Sequence, residues 1–312
     1  MKDRAGFMTE HLRDIVIRLL QMAVIKIVLA LLLVAVALTV GGTRAEAQQT
    51  DGEAAPAPPN AAFLADQGLA PPGANDPDCR PEDGKPPVVL VHGTFANMAA
   101  NFSALSPTLA SQGYCVYALN YGENIGPAYG LSDIRGSARE LERFVDEVRA
   151  YTDSEKVSIA GHSQGGMMPR YYIKNLGGAH EVEDLVAVAP SNHGTQLQRR
   201  LVPFTDYAIE AGEYGICESC VQQGTGSEFL TELNSSDETP GAVDYTVVAT
   251  RTDETVLPYT SGFLAGSPDE VSNITLQDGY PYDPAGHLGV IFDPNVYGYV
   301  LDALQREGPA RP

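Results

Sequence analysis

Short runs of consecutive apolar residues, separated by amphipathic or polar stretches, set the rhythm of this chain. They are Val88-Val89-Leu90-Val91, Tyr114 to Leu119, Val157 to Ala160, Leu185 to Val188 and Tyr245 to Ala249. None alternates between apolar and polar side chains as a half-exposed strand would, so each predicts a strand buried on both faces of a mainly parallel sheet. Helical spacing lies between and after them. From Ala138 to Tyr151, Leu141, Phe144, Val145 and Val148 share one face and Glu and Arg the other. Further helices are expected from Met167 to Leu176 and from Asn295 to Gln305, the latter with Val296, Val300 and Leu304 along one side. Strands alternating with helices predict an α/β architecture, with helices on the faces of the sheet.

Two regions break this rhythm. Residues 194–244 are long for a simple connection and are expected to form a helical cap or lid. Residues 48–80 are rich in Ala, Pro, Gly and acidic side chains and are expected as a linker into a folded domain spanning 81–312. Ahead of them, Lys2, Arg4, Arg13 and Arg18 precede an apolar run from Leu19 to Val40, broken only by Gln21, Lys26 and Thr39. Ala45-Glu46-Ala47 then offers a small-x-small cleavage site, so residues 1–47 read as an export signal. The alternative is an uncleaved membrane anchor. In both readings the folded domain lies outside the cytoplasm.

The charge is −20 over 312 residues. Six Lys/Arg and four Asp/Glu fall in the first 47 residues, leaving 14 basic against 36 acidic groups, or −22, for the remainder. Such a surface repels nucleic acid phosphates and anionic membranes. The sequence gives no sign of an obligate protein partner, and a monomer is expected. Four cysteines in an exported chain suggest two disulfides, for which three pairings exist. Cys217 and Cys220 are near enough to close a small loop, leaving Cys79 with Cys115. The competing reading, a redox or zinc-binding Cys-x-x-Cys, lacks a second such pair or a His pair to complete it.

The chemistry concentrates where a β-branched run meets Gly161-His162-Ser163-Gln164-Gly165 and then a helix-compatible segment. Strand, Gly-x-Ser-x-Gly and helix make a nucleophile elbow, a sharp turn that presents Ser163 beyond the sheet edge. A serine hydroxyl needs an imidazole to take its proton, and the imidazole needs a carboxylate to fix its tautomer. In elbow proteins the chain order is Ser, acid, His. His11, His92 and His162 come too early, and His180 and His193 precede the strand that would bear the acid, leaving His287 between glycines. Asp253 follows the run Tyr245 to Ala249, at the strand end where open α/β sheets place functional groups; Glu254, Asp278 and Asp283 are its rivals. Donors for a developing oxyanion are expected from the backbone of Gln164, which opens the helix, and from Thr94 in the loop His92-Gly93-Thr94-Phe95. No cofactor or metal is called for.

With these residues placed, the chain resembles the class 2 lipases, a family of secreted bacterial α/β-hydrolases, and more distantly lipases of the yeast lipase B type. The resemblance runs from about Pro86 to the C-terminus. It rests on His92-Gly93-Thr94-Phe95, on Gly161 to Gly166, on Ala189-Pro190-Ser191-Asn192-His193-Gly194-Thr195, on Thr252 to Pro258 and on Gly286-His287. It implies an α/β-hydrolase fold, Ser163 as nucleophile, Asp253 as acid, His287 as base, and Thr94 with Gln164 as oxyanion hole. It also implies a Cys79–Cys115 bridge and an acyl pocket bordered by Ala189 to Thr195. Region 194–244 departs from the yeast enzyme, so lid behaviour and chain-length preference do not carry over.

The leading expectation is a secreted esterase or triacylglycerol lipase that hydrolyses lipid esters through an acyl-enzyme, with Leu201, Val202, Phe204, Tyr207 and Ile209 as candidates to line an acyl groove. An acyltransferase or polyester hydrolase would use the same triad. A non-catalytic binding protein of this fold would show a broken triad, which this sequence does not.

Overall fold

A computed structural model describes residues 61–82, 85–196 and 217–312. The expected export segment, the first part of the linker and the groove candidates Leu201, Val202, Phe204, Tyr207 and Ile209 lie outside the described residues. Among those described, no helix is long and apolar enough to cross a membrane.

Strands β1 (Val88–Val91), β2 (Val116–Leu119), β3 (Val157–His162), β4 (Val182–Val188), β5 (Asp244–Ala249) and β6 (Val271–Thr275) form one sheet. Their order is β2-β1-β3-β4-β5-β6, and every neighbouring pair is parallel. The unbroken apolar runs are explained by two cores. Val89 and Val91 of β1 join Tyr117, Ile159, Ala187 and Val247 on one face, whereas Val88 and Leu90 join Ala118, Ala160, Val186 and Val248 on the other. Because successive side chains point to opposite faces, a strand covered on both must be apolar throughout.

Helix α1 (Ile134–Thr152) and helix α2 (Gln164–Asn175) cover the first face, and helix α3 (Pro294–Gln305) the second. α1 begins four residues before its predicted start. Asp133 caps it, accepting from the Gly136 amide at 3.1 Å, and Ile134 opens the buried stripe that continues through Ala138, Leu141, Val145 and Val148. α2 begins at Gln164 rather than Met167, since the elbow feeds it directly and Gly165 and Gly166 conceal its first turn from propensity. α3 has Asp293 as cap and Pro294 at its first position, where the missing N–H costs nothing.

β6 has no counterpart among the predicted strands. Ser272 and Asn273 interrupt its apolar pattern, which an edge strand with one neighbour tolerates. The Asn273 amide folds back instead, donating to Leu264 O at 2.8 Å and accepting from Leu264 N at 2.9 Å. The opposite edge is covered by residues 61–80, read from composition as linker. Asn75 donates from its backbone to Val116 O, and its side chain brackets Ala118 through two hydrogen bonds of 2.9 and 2.8 Å. Leu64 enters the first core, and Cys79 is disulfide-bonded to Cys115. In the region expected as a cap, Phe229, Leu230 and Leu233 of the helix Glu228–Leu233 are also buried in the first core.

Candidate active site

The chain visits β1, then β2, then returns to β3 on the other side of β1. Loops leaving the C-terminal ends of β1 and β3 therefore diverge, which opens a crevice at that point. Ser163 stands there with φ +57° and ψ −122°, a conformation costly for a residue with a Cβ. The turn is so tight that a Cβ on Gly161 would sit 1.8 Å from Gly165 O, and one on Gly165 would sit 2.0 Å from Val91 O. Only glycine fits either place, which is the physical content of the motif.

Three side chains from three loops meet at Ser163. His287 Nε2 lies 2.9 Å from Ser163 Oγ, and His287 Nδ1 lies 2.9 Å from Asp253 Oδ2. A carboxylate only accepts, so the proton resides on Nδ1 and Nε2 is left as an acceptor facing the hydroxyl. Asp253 is itself fixed: its Oδ1 accepts from the backbone amides of Thr255 and Val256 at 2.8 and 2.7 Å. The acid and base loops are tied together, with Thr250 and Thr252 donating from their hydroxyls to Ala285 O at 2.7 and 2.8 Å. Of the rival acids, Glu254 accepts from the His287 backbone amide, Asp278 pairs with Arg251, and Asp283 accepts from Ala285 N and Asn295 Nδ2. None of these touches the imidazole.

The β1 loop supplies the other side of the crevice. A Cβ on Gly93 would meet Ser163 Cβ at 3.0 Å, so this loop lies directly against the elbow. The backbone amides of Thr94 and Gln164 donate to no protein group among the described residues. Unpaired amides at a helix start and in an adjoining loop suit a developing negative charge. The Thr94 hydroxyl donates to Gln164 Oε1 at 2.5 Å and accepts from Gln223 Nε2 at 2.8 Å.

Two further histidines are buried beside the triad. His162 Nε2 donates to the His287 carbonyl at 2.9 Å, so its Nδ1 is the acceptor, placed 3.2 Å from Asn101 Nδ2. Asn101 Oδ1 in turn accepts from Gly93 N at 2.9 Å, so a chain of hydrogen bonds runs from the β1 loop to the base loop. Burial, and then the nearby His287, push the His162 pKa down to about 3. His92, stacked on Tyr121 at 4.4 Å and donating from Nδ1 to Gly93 O, is lowered to about 4 by burial. Both rings are neutral near pH 7.

Both disulfides form, Cys79–Cys115 and Cys217–Cys220, and no cysteine is free. Among the described residues, no cluster of three or more His, Cys, Asp or Glu could hold a metal ion. The sequence-predicted Ser163, Asp253, His287, Thr94 and Gln164 thus gather in one place. Asn101, His162, Glu254 and Gln223 escaped the sequence reading in these roles. His162, inside the elbow motif, and Glu254, beside Asp253 and weighed as its rival, had a local signal; Asn101 and Gln223 had none.

The class 2 lipase family model matches residues 85–297. A triacylglycerol lipase of Pseudarthrobacter phenanthrenivorans is 36% identical over 93 residues, 27% of each chain. One from Burkholderia plantarii is also 36% identical over 93 residues, 27% of this chain and 24% of that protein. The chain thus spans about a quarter of the length of these curated relatives. Among solved structures, Aspergillus fumigatus lipase B superposes with a TM-score of 0.63 at 26% identity, over 74% of this chain and 55% of that one. Bacillus licheniformis lipase BlEst2, at 17% identity and a TM-score of 0.53 over 73% of this chain and 96% of that one, shares the fold. With a match running from the start of β1 into α3, the chain belongs to the class 2 lipase family.

Proposed function

We propose that the protein is a serine carboxylic-ester hydrolase that cleaves lipid esters through an acyl-enzyme. The observation that carries this reading is the Ser163–His287–Asp253 chain, closed by two contacts of 2.9 Å. Ser163 Oγ attacks the ester carbonyl while His287 Nε2 takes its proton, and the Nδ1–H bond to Asp253 stabilises the resulting imidazolium. The tetrahedral oxyanion is held by the amides of Thr94 and Gln164. His287 then protonates the leaving alcohol, and a water activated by the same nitrogen releases the acid.

The substrate class rests on family membership and on the curated relatives described as triacylglycerol lipases. Export is supported by the charged and apolar N-terminal segment and by two disulfides, which persist in oxidising compartments. Hydrolysis of p-nitrophenyl esters by the wild type and by Ser163→Ala tests the assignment: the variant should lose turnover and fluorophosphonate labelling together. Wild-type-like turnover in Ser163→Ala would refute it. Rates measured below and above substrate solubility separate lipase from esterase, since a lipase accelerates once an interface forms.

A further inference from the structure

The triad leaves unexplained the short helix Glu218–Gln222, which begins next to Cys217 and contains Cys220. A five-residue helix is too short to hold its own shape in water, so an external constraint must fix it. The disulfide closes it at a Cα–Cα distance of 5.4 Å. Ser219, between the two cysteines, anchors it by donating from N to Leu131 O at 3.2 Å and from Oγ to Gly130 O at 2.6 Å. Gly130 lies behind the β1 loop: a Cβ there would meet Gly93 O and Thr94 Cα, both at 3.5 Å.

The helix ends at buried Gln223, whose amide points into the oxyanion corner. Gln223 Nε2 lies 2.8 Å from Thr94 Oγ1, 3.2 Å from Gln164 Oε1 and 3.1 Å from Ser219 O. Its Oε1 accepts from Ser191 Oγ at 2.9 Å. The Ser219 carbonyl can only accept, which fixes the amide with its NH2 toward Thr94. That NH2 occupies a lone pair of the Thr94 hydroxyl, leaving the hydroxyl proton to be donated either to Gln164 or to a substrate oxyanion.

We propose that Gln223, held by the turn that Cys217–Cys220 closes, is a positioning residue for the oxyanion hole: it orients Thr94 as a donor and locks the β1 loop to the Gln164 end of α2. The inference rests on the hydrolase reading above. Gln223 touches no reacting atom, so its loss acts on transition-state binding through Thr94 and Gln164 and leaves ground-state binding alone.

The test uses the full chain with p-nitrophenyl butyrate, every rate being normalised to Ser163 sites titrated with a fluorophosphonate. Gln223→Ala should lower kcat about ten-fold or more with KM nearly constant, and should weaken inhibition by a trifluoromethyl ketone, a tetrahedral-state mimic, by the same factor. Gln223→Glu keeps the shape, removes the donor and adds a negative charge, so it should lose more. Cys217→Ser combined with Cys220→Ser should move kcat and inhibitor affinity in the same direction, and adding Gln223→Ala should give less than the product of the separate losses. Unchanged kcat per titrated site, a loss confined to KM, or fully multiplicative losses would overturn the proposal. A wild-type chain that the fluorophosphonate fails to label would instead overturn the hydrolase reading.

Discussion

Acidification from pH 6.5 to 5 should weaken the fold through two histidines at the site and strengthen it through one buried carboxylate. His92 and His162 have folded pKa values lowered to about 4 and about 3, below the ordinary value of 6.5. In the window between, the unfolded chain binds a proton that the native ring refuses. Their contribution is therefore present above pH 6.5 and is lost as pH falls. At 1.36 kcal/mol per pH unit, the step to pH 5 removes about 2 kcal/mol for each histidine. Asp184 acts in the opposite sense. Burial raises it to about 7, against a hydrogen bond from Ser158 Oγ at 2.6 Å that pulls it down. The native carboxyl keeps its proton where the unfolded one has lost it, so Asp184 adds about 2 kcal/mol over the same step. Taken together, these three groups give a net loss of about 2 kcal/mol. Urea unfolding at both pH values reads the balance in wild type, His162→Gln and Asp184→Asn. His162→Gln should shrink the acid-induced loss by about 2 kcal/mol, and Asp184→Asn should enlarge it by about as much. Differences between variants remove the background of the remaining acidic groups. A variant with the same pH dependence as wild type would refute the reasoning for that residue.

Other outcomes follow from the geometry. Asp253→Asn keeps the shape but no longer holds the proton on His287 Nδ1, so kcat should fall about 10⁴-fold with labelling of Ser163 slowed alike; a loss under ten-fold would remove Asp253 from its role. Gly165→Ala forces a Cβ to 2.0 Å from Val91 O, and thermal unfolding should show a loss above about 3 kcal/mol or no folded protein. A stable, active Gly165→Ala would contradict the elbow geometry. Replacing Cys79 and Cys115 by Ser opens a link across 36 residues, which chain entropy values at about 4 kcal/mol. Urea melts should show that loss while kcat per titrated site stays at the wild-type value, because Cys115 precedes β2 at one end of the parallel strands and Ser163 follows β3 at the other.

The strands β1 to β5 were legible because burial on two faces demands unbroken apolar runs, and that signal is local. β6 was not, because polar Ser272 and Asn273 break its apolar run, and what makes Asn273 acceptable there, its side-chain pairing with Leu264 at the sheet edge, is not contained in a window of sequence. The same division holds at the site. Gly161 and Gly165 announce the elbow because the turn admits no Cβ, and chain order then isolates His287.

What the sequence determined alone is the part of this protein governed by neighbours in the chain: the strands β1 to β5, the helices between and after them, the glycine-bounded turn at Ser163, and the chain order of Ser163, Asp253 and His287. Only the tertiary structure decided which groups meet across distant loops. Asp253 is selected over Glu254 because two backbone amides hold one of its oxygens and leave the other for His287. Asn101 and His162 become a link between loops, and Gln223 a support for Thr94, only once the sheet order sets β1 beside β3. A hydrogen bond depends on positions in space to within a few tenths of an ångström, and folding alone brings residues 124 positions apart, as Ser163 and His287 are, to that distance.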